Sequence, residues 1–342
     1  MERLCYIGNR GMGALEFRPS LRGRNSKSER VEVDKLVELA SAALARREGL
    51  TTRLGSEDEL NEILRVGTSA GGARAKAVIA LNPRTGEVRS GQAKAPAGFE
   101  HWLMKFDGVT SSFDGVRDPQ GYGRIEYAYH LMARRAGIDM ADCRLFKESG
   151  RAHFMTRRFD RPADGSKRHF ASLFGIAHLA YAAPGAHSHA YEDYFDVIER
   201  LDLAPDAKLE GFRRLVFNVL GCNRDDHTKN FGFLLNAARR WELAPAFDMS
   251  YAHNPGPGKW TATQQMSVAG KRENITRGDF IAVGRQCSVA TVPGLNGVID
   301  QVADALGHWE EFAAEAGVSA ENTAKVSRAL TAQAKETLDL SG

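Results

Sequence analysis

Asn223-Arg224-Asp225-Asp226-His227-Thr228-Lys229-Asn230, followed by Leu243-Ala244-Pro245-Ala246-Phe247-Asp248, is the stretch on which the reading of this chain turns. Asp225 and Asn230 stand five residues apart, and Asp248 follows Asn230 by eighteen. An apolar helical run, Phe212 to Leu220, precedes the first motif, and the strand-like Phe231-Gly232-Phe233-Leu234-Leu235 follows it. A second strand-like piece, Arg240 to Leu243, makes a hairpin that returns Asp248 toward the loop. Alone, residues 223–230 read equally as a polar turn, because Asn and Asp hydrogen-bond their own backbone, and Asp248 reads as a helix cap. The spacing between the motifs favours one shared site, in which a carboxylate and an amide on a loop meet a second carboxylate.

At 342 residues the chain is long enough for two lobes, each with its own core. Apolar residues make up 43% and charged residues 26%, which excludes fibrous and disordered classes. The 46 basic and 43 acidic residues nearly cancel, so the formal charge of +3 neither demands nor excludes nucleic acid. Arg22-Gly23-Arg24 and Arg157-Arg158 read as solvated surface. Cys5, Cys143, Cys222 and Cys287 are scattered, which suits a reducing cytoplasm better than a disulfide framework or a zinc site. With no signal pattern and no apolar run of membrane-spanning length, the expected location is the cytoplasm, with no membrane partner.

The first half reads as strand-rich. Leu4 to Gly8 and Ala14 to Phe17 are predicted as short extended pieces around a glycine-rich turn. Helical spacing appears over 31–47 and briefly over 57–64. The small-residue loop Gly67-Thr68-Ser69-Ala70-Gly71-Gly72 leads into a predicted strand, Lys76 to Leu81, and a hairpin turn at Asn82 to Gly86. His101 to Phe106, Cys143 to Phe146 and His153 to Arg158 read as further strands, and Arg124 to Arg135 as a helix ending near Gly137. After Arg161-Pro162 the pattern turns helical: Leu173 to Tyr181, Tyr191 to Leu201, Leu209 to Leu220, and helices from Gly278, Val292 and Ala320. The expected class is α+β and bilobal, a strand-rich N-terminal lobe over 1–158 and a helical C-terminal lobe over 159–342.

That layout and the two motifs suit phosphoryl transfer, which asks a protein for positioning and charge neutralisation. Asp225 and Asn230 have the separation of the Asp and Asn in the protein-kinase loop H-R-D-x-x-x-x-N, and Asp248 corresponds to the Asp of D-F-G. Lys105, between Trp102-Leu103-Met104 and Phe106, is a lone charge in an apolar strand and needs a partner, for which Glu126 is the candidate. It reads alternatively as a strand-end lysine reaching water. Gly67 to Gly72 matches neither standard phosphate-loop pattern and reads also as a plain turn. His187-Ser188-His189 reads as surface rather than a metal pair, and Trp241 and Trp260 read as packing residues.

Together these segments resemble the HipA family of bacterial serine/threonine kinases, toxins of two-component toxin–antitoxin modules. The matching pieces are Tyr6 to Leu15, Ser69 to Lys76, Trp102 to Phe106, Arg158 to Arg161, Asn223 to Phe231 and Leu243 to Asp248, in the family's order. The resemblance implies a kinase using ATP and Mg2+, with Asp225 as catalytic Asp, Asn230 and Asp248 as magnesium ligands, and Lys105 on the ATP phosphates. It further implies an adenine-reading hinge around Phe159, Asp160 near the ribose, Lys229 near the phosphates and a structural His227. Ser69 takes the place of the serine that family members autophosphorylate, where a phosphate would pull the loop from the ATP site.

The implied partners are a protein substrate, such as an aminoacyl-tRNA synthetase, and a HipB-like antitoxin through which DNA contact would be indirect. In the family a further small subdomain precedes the Tyr6 to Leu15 segment. Here the chain begins almost at it, which suggests a shortened member, a mis-called start, or one half of a split kinase completed by a separate protein. A kinase-fold small-molecule phosphotransferase and an inactive antitoxin-binding regulator are the alternative functions.

Overall fold

The structure, a computed structural model, describes residues 5, 7–8, 11–20, 30–37, 74–91, 94–110, 121–179, 189–254, 256 and 260–338. The small-residue loop at 67–72 with Ser69, the expected helix at 57–64, residues 38–47 of the preceding one, and His187 lie outside the described residues. The chain divides into two compact units, Met1–Tyr127 with Ala141–His169, and Ala128–Met140 with Phe170–Gly342.

The first unit is built on an antiparallel sheet of β1 (Arg74–Leu81), β2 (Val88–Ser90), β3 (Glu100–Thr110), β4 (Cys143–Glu148) and β5 (Arg151–Arg157), in the order β2-β1-β3-β5-β4. The β1–β2 turn forms where expected, since the Asn82 side chain accepts from the Arg84 N–H at 2.9 Å while Gly86 takes φ +74°. Side chains alternate along β3: Trp102, Met104 and Phe106 enter a core with Ile79, Leu81 and Leu36. Lys105 is therefore displayed on the opposite face, in register with Lys76 on one side and Phe154 on the other.

The N-terminal segment departs from expectation. Cys5 and Ile7 are helical, and residues 14–17 join no strand. Gly8 and Gly13 take φ +58° and +74°, which bends the chain out of extension. The polar groups of residues 11 and 13 bond to side chains instead of a sheet neighbour: Arg161 donates to the Gly11 and Gly13 carbonyls, and the Gly13 N–H donates to Asp160.

Helix α1 (Tyr122–Arg135) starts in the first unit and ends in the second. Gly137, at φ +81°, ends it in the left-handed conformation that closes many helices. The second unit carries α2 (Leu173–Ile176), α3 (Tyr191–Arg200), α4 (Asp206–Leu220), α5 (Arg277–Gln286), α6 (Val292–Gly307), α7 (Trp309–Ala316) and α8 (Ala320–Leu338). A second sheet runs β6 (His169–Ser172), β7 (Gly232–Leu235), β8 (Trp241–Leu243). Helix α2 is shorter than the stretch read from Leu173, because His178 turns the chain with φ +54°. Helix α4 buries Phe212, Leu215, Val216, Phe217, Val219 and Leu220 and packs on α3, α6 and α8, so its C-terminal end is a fixed platform for the loop that follows. No helix among the described residues is long and apolar enough to cross a membrane.

Gly123 lets the first turn of α1 touch β5: a Cβ there would lie 2.7 Å from the Ala152 carbonyl oxygen, a backbone atom that cannot swing away. Gly123→Ala is expected to lower stability by about 1–3 kcal/mol, read by urea denaturation; an unchanged midpoint would show that α1 does not rest on β5.

Candidate active site

Helix α4 delivers the polar loop through a fixed exit. Gly221 N donates to Phe217 O at 2.8 Å, Cys222 reverses direction with φ +51°, and Asn223 N donates to Asn218 O at 2.9 Å. Arg224 N then bonds Ala252 O at 3.0 Å, and Ala252 N bonds Cys222 O at 3.1 Å, which ties the loop to the segment after Asp248. A single 3-10 turn, Thr228–Asn230, leads into β7.

The two adjacent carboxylates have opposite environments. Asp226 is 1% exposed and accepts from Tyr191 Oη at 2.8 Å, Gln264 Nε2 at 3.0 Å and the Gln265 backbone N–H at 2.6 Å. Burial pushes its carboxyl up to about 6, against the pull of these donors. Asn218 Nδ2 donates to the Tyr191 hydroxyl at 3.0 Å, and Asn223 Nδ2 to Asn218 Oδ1 at 2.9 Å, so the network reaches α3, α4 and the loop itself. The Asp225 side chain is 41% exposed. Its Oδ1 accepts from Trp260 Nε1 at 2.7 Å and lies 3.8 Å from His227 Nε2, beyond hydrogen-bond reach.

Asn230 and Asp248 line one small cavity of about 10 Å³, together with Asn218, Asn223, Asp226 and Arg214, whose guanidinium is paired with Glu210 and the Ala244 carbonyl. That is room for roughly a single water or ion. Asn230 Nδ2 donates to Asp225 O at 2.9 Å, a bond that engages the amide through its nitrogen. Asp248 has φ +59°, a conformation that Asp tolerates better than most residues and that clusters at functional sites. The Lys229 ammonium, expected near phosphates, lies 5.0 Å from the centre of the Phe174 ring.

In the first unit, Lys105 Nζ meets Glu126 Oε1 at 2.5 Å, with side chains 11% and 1% exposed. The partner read from the sequence is the one observed. Asp160 is also almost fully buried. Burial would raise its carboxyl, but Arg158, at 3.0 and 2.7 Å through two nitrogens, Arg161 at 2.9 Å and the Gly13 N–H at 2.7 Å hold it below the ordinary value. The carboxylate expected beside a ribose is thus engaged by protein donors. Phe159 is half-buried between them.

With this geometry in hand, the model of the HipA-like C-terminal domain family matches residues 68–338. The chain belongs to the HipA-like family. Its fold is shared with HipA in the complex of HipA, HipB and operator DNA from Shewanella oneidensis MR-1, at 14% identity and a TM-score of 0.67, over 98% of this chain and 78% of that one. The Helicobacter pylori proinflammatory kinase CtkA is a more distant match, at 12% identity and a TM-score of 0.40 over 73% of this chain and 93% of that one. No curated protein matches the chain in sequence.

Within this HipA-like frame the sequence reading missed the groups that hold the loop. Tyr191 lies 35 residues from Asp226, and Gln264 lies 38 away, so no local pattern announces them. Trp260, read as a packing residue, is 37% exposed and bonds to Asp225. Among the described residues no three His, Cys, Asp or Glu side chains assemble as a metal cage.

Asp226 titrates near 6 when folded against an ordinary 3.8, so between those values the folded state binds more protons than the unfolded one. Stability from this residue is therefore expected to fall as pH rises through that window, by up to roughly 3 kcal/mol. Asp226→Asn should flatten the wild-type slope in denaturation curves taken across that range; parallel profiles would show that Asp226 is not the titrating group.

Proposed function

We propose that this chain is an ATP- and magnesium-dependent serine/threonine protein kinase of the HipA type. The observation that carries the reading is the convergence of Asn230 and Asp248 on one cavity, with Asp225 tied to Asn230 through its own carbonyl. The donor set fits magnesium: one carboxylate and one amide oxygen are hard ligands, and Mg2+ binds through one or two protein groups with waters and phosphates completing its shell. When bound there, Mg2+ neutralises the charge on the transferred phosphate.

In the proposed step Asp225 accepts the proton of a serine or threonine hydroxyl as its oxygen bonds to the γ-phosphorus, and the broken P–O bond leaves its electron pair on ADP. Asn230 and Asp248 hold the metal. Lys105 holds the ATP phosphates, its ammonium fixed by Glu126 at 2.5 Å. Asp226 keeps the loop in place and does not touch substrate. Phe159 is assigned to the adenine hinge with Asp160 on the ribose side, and Lys229 to the phosphates. Ser69 is proposed as the site of autophosphorylation. A HipB-like antitoxin is the proposed partner, by likeness to the Shewanella assembly.

Transfer of labelled phosphate from ATP tests the reading. The wild-type chain is expected to label serine or threonine in protein, and its own Ser69 by mass spectrometry. Asp225→Ala should slow transfer by about 10²–10⁴-fold with ATP affinity retained. Label on small-molecule acceptors alone, or transfer that survives Asp225→Ala and fails in Asp226→Ala, would overturn it.

A further inference from the structure

The contact between Trp260 and Asp225 goes beyond what a kinase site requires. A tryptophan serving only to pack is buried; Trp260 is 37% exposed, and among the described residues of the second unit only Val292 is another exposed large hydrophobic. Its indole N–H is nonetheless committed to Asp225 Oδ1 at 2.7 Å, a hydrogen bond strengthened by the acceptor's charge.

The segment that carries it is clasped to the loop. Gln265 Nε2 donates to the carbonyls of Trp260 at 2.5 Å, Thr263 at 3.2 Å and Arg224 at 3.3 Å. The Arg224 guanidinium donates to the Ala262 carbonyl, and Gln264 Nε2 to the Asn223 carbonyl at 3.3 Å. Both ends of the indole–carboxylate bond are therefore anchored by neighbours, and the bond fixes which way the carboxylate faces.

We infer that Trp260 positions Asp225 for a serine or threonine carried in a peptide, and that its exposed ring receives an apolar residue flanking that hydroxyl. This inference rests on the kinase reading above and adds the acceptor side of it. The N–H orients the carboxylate that takes the hydroxyl proton, while the apolar ring beside it favours a polypeptide acceptor with an apolar neighbour over a small polar one.

Two serine peptides, one with leucine and one with glycine beside the serine, separate the roles. Trp260→Phe keeps a ring and loses the donor, so kcat is expected to fall about tenfold with KM for the leucine peptide unchanged. Trp260→Ala should lower kcat alike and raise KM for the leucine peptide alone. In the wild-type chain the Trp260 indole N–H resonance, assigned from its loss in Trp260→Phe, should move in Asp225→Asn. An active wild-type chain matched in kcat by Trp260→Phe, an indole resonance indifferent to Asp225→Asn, or equal KM changes for both peptides in Trp260→Ala would overturn the inference and leave the kinase reading standing. A wild-type chain that phosphorylates no peptide or protein would overturn that reading, and the inference with it.

Discussion

A carboxylate with almost no access to water sits at the centre of the second unit, and the loop around it is arranged by its need for partners. Left unpaired, the ionised Asp226 side chain would cost several kcal/mol of lost hydration. Its three donors come from Tyr191 on α3 and from the adjacent Gln264 side chain and Gln265 amide, so satisfying one side chain joins two distant stretches of chain to its own loop. Tyr191 serves twice, donating to Asp226 and accepting from Asn218 on α4. The Tyr191 hydroxyl is held protonated far above the ordinary tyrosine value by its burial and by the neighbouring Asp226 charge, which keeps it a donor at any working pH.

The first unit handles buried charge by the same rule in a different place. Lys105 and Glu126 meet across β3 and α1, and Gly123 is what lets that helix lie close to the sheet. Asp160 meets two arginines and an amide, and Arg161 extends from it to the carbonyls of Gly11 and Gly13. The N-terminal segment is thereby held to the chain at 158–161 through polar contacts. Breaking either cluster by removing one partner leaves an uncompensated charge, which is worse than never having buried the pair.

What was legible in the sequence was local or periodic. The five-residue spacing of Asp225 and Asn230 and the hairpin that returns Asp248 are local, and the structure places Asn230 and Asp248 on one cavity. The alternation of Trp102, Met104 and Phe106 around Lys105 gave its face, and a buried lysine's need for a carboxylate gave Glu126. The extended reading failed at the described residues 5, 7–8 and 14–17 because apolar alternation says nothing of φ, and Gly8 and Gly13 lie in the left-handed region. The donors around Asp160 were illegible for another reason: Gly13 lies far from it in sequence, and no local pattern announces that this amide joins Arg158 and Arg161 on the carboxylate.

The adjacency of Asp225 and Asp226 explains why a distant tryptophan reaches the site at all. Two carboxylates on consecutive residues repel, and the loop relieves this by placing one in solvent and the other in the interior. The inward one requires donors, and the Gln264 side chain and Gln265 amide supply them. Fixing those two residues fixes the four before them, because Gln265 also holds the Trp260 and Thr263 carbonyls and Arg224 holds that of Ala262. Trp260 is thereby brought to the outward carboxylate, where its N–H reaches Oδ1. The orientation of Asp225 is then a consequence of how Asp226 is buried, and a change that frees the inner carboxylate also releases the outer one.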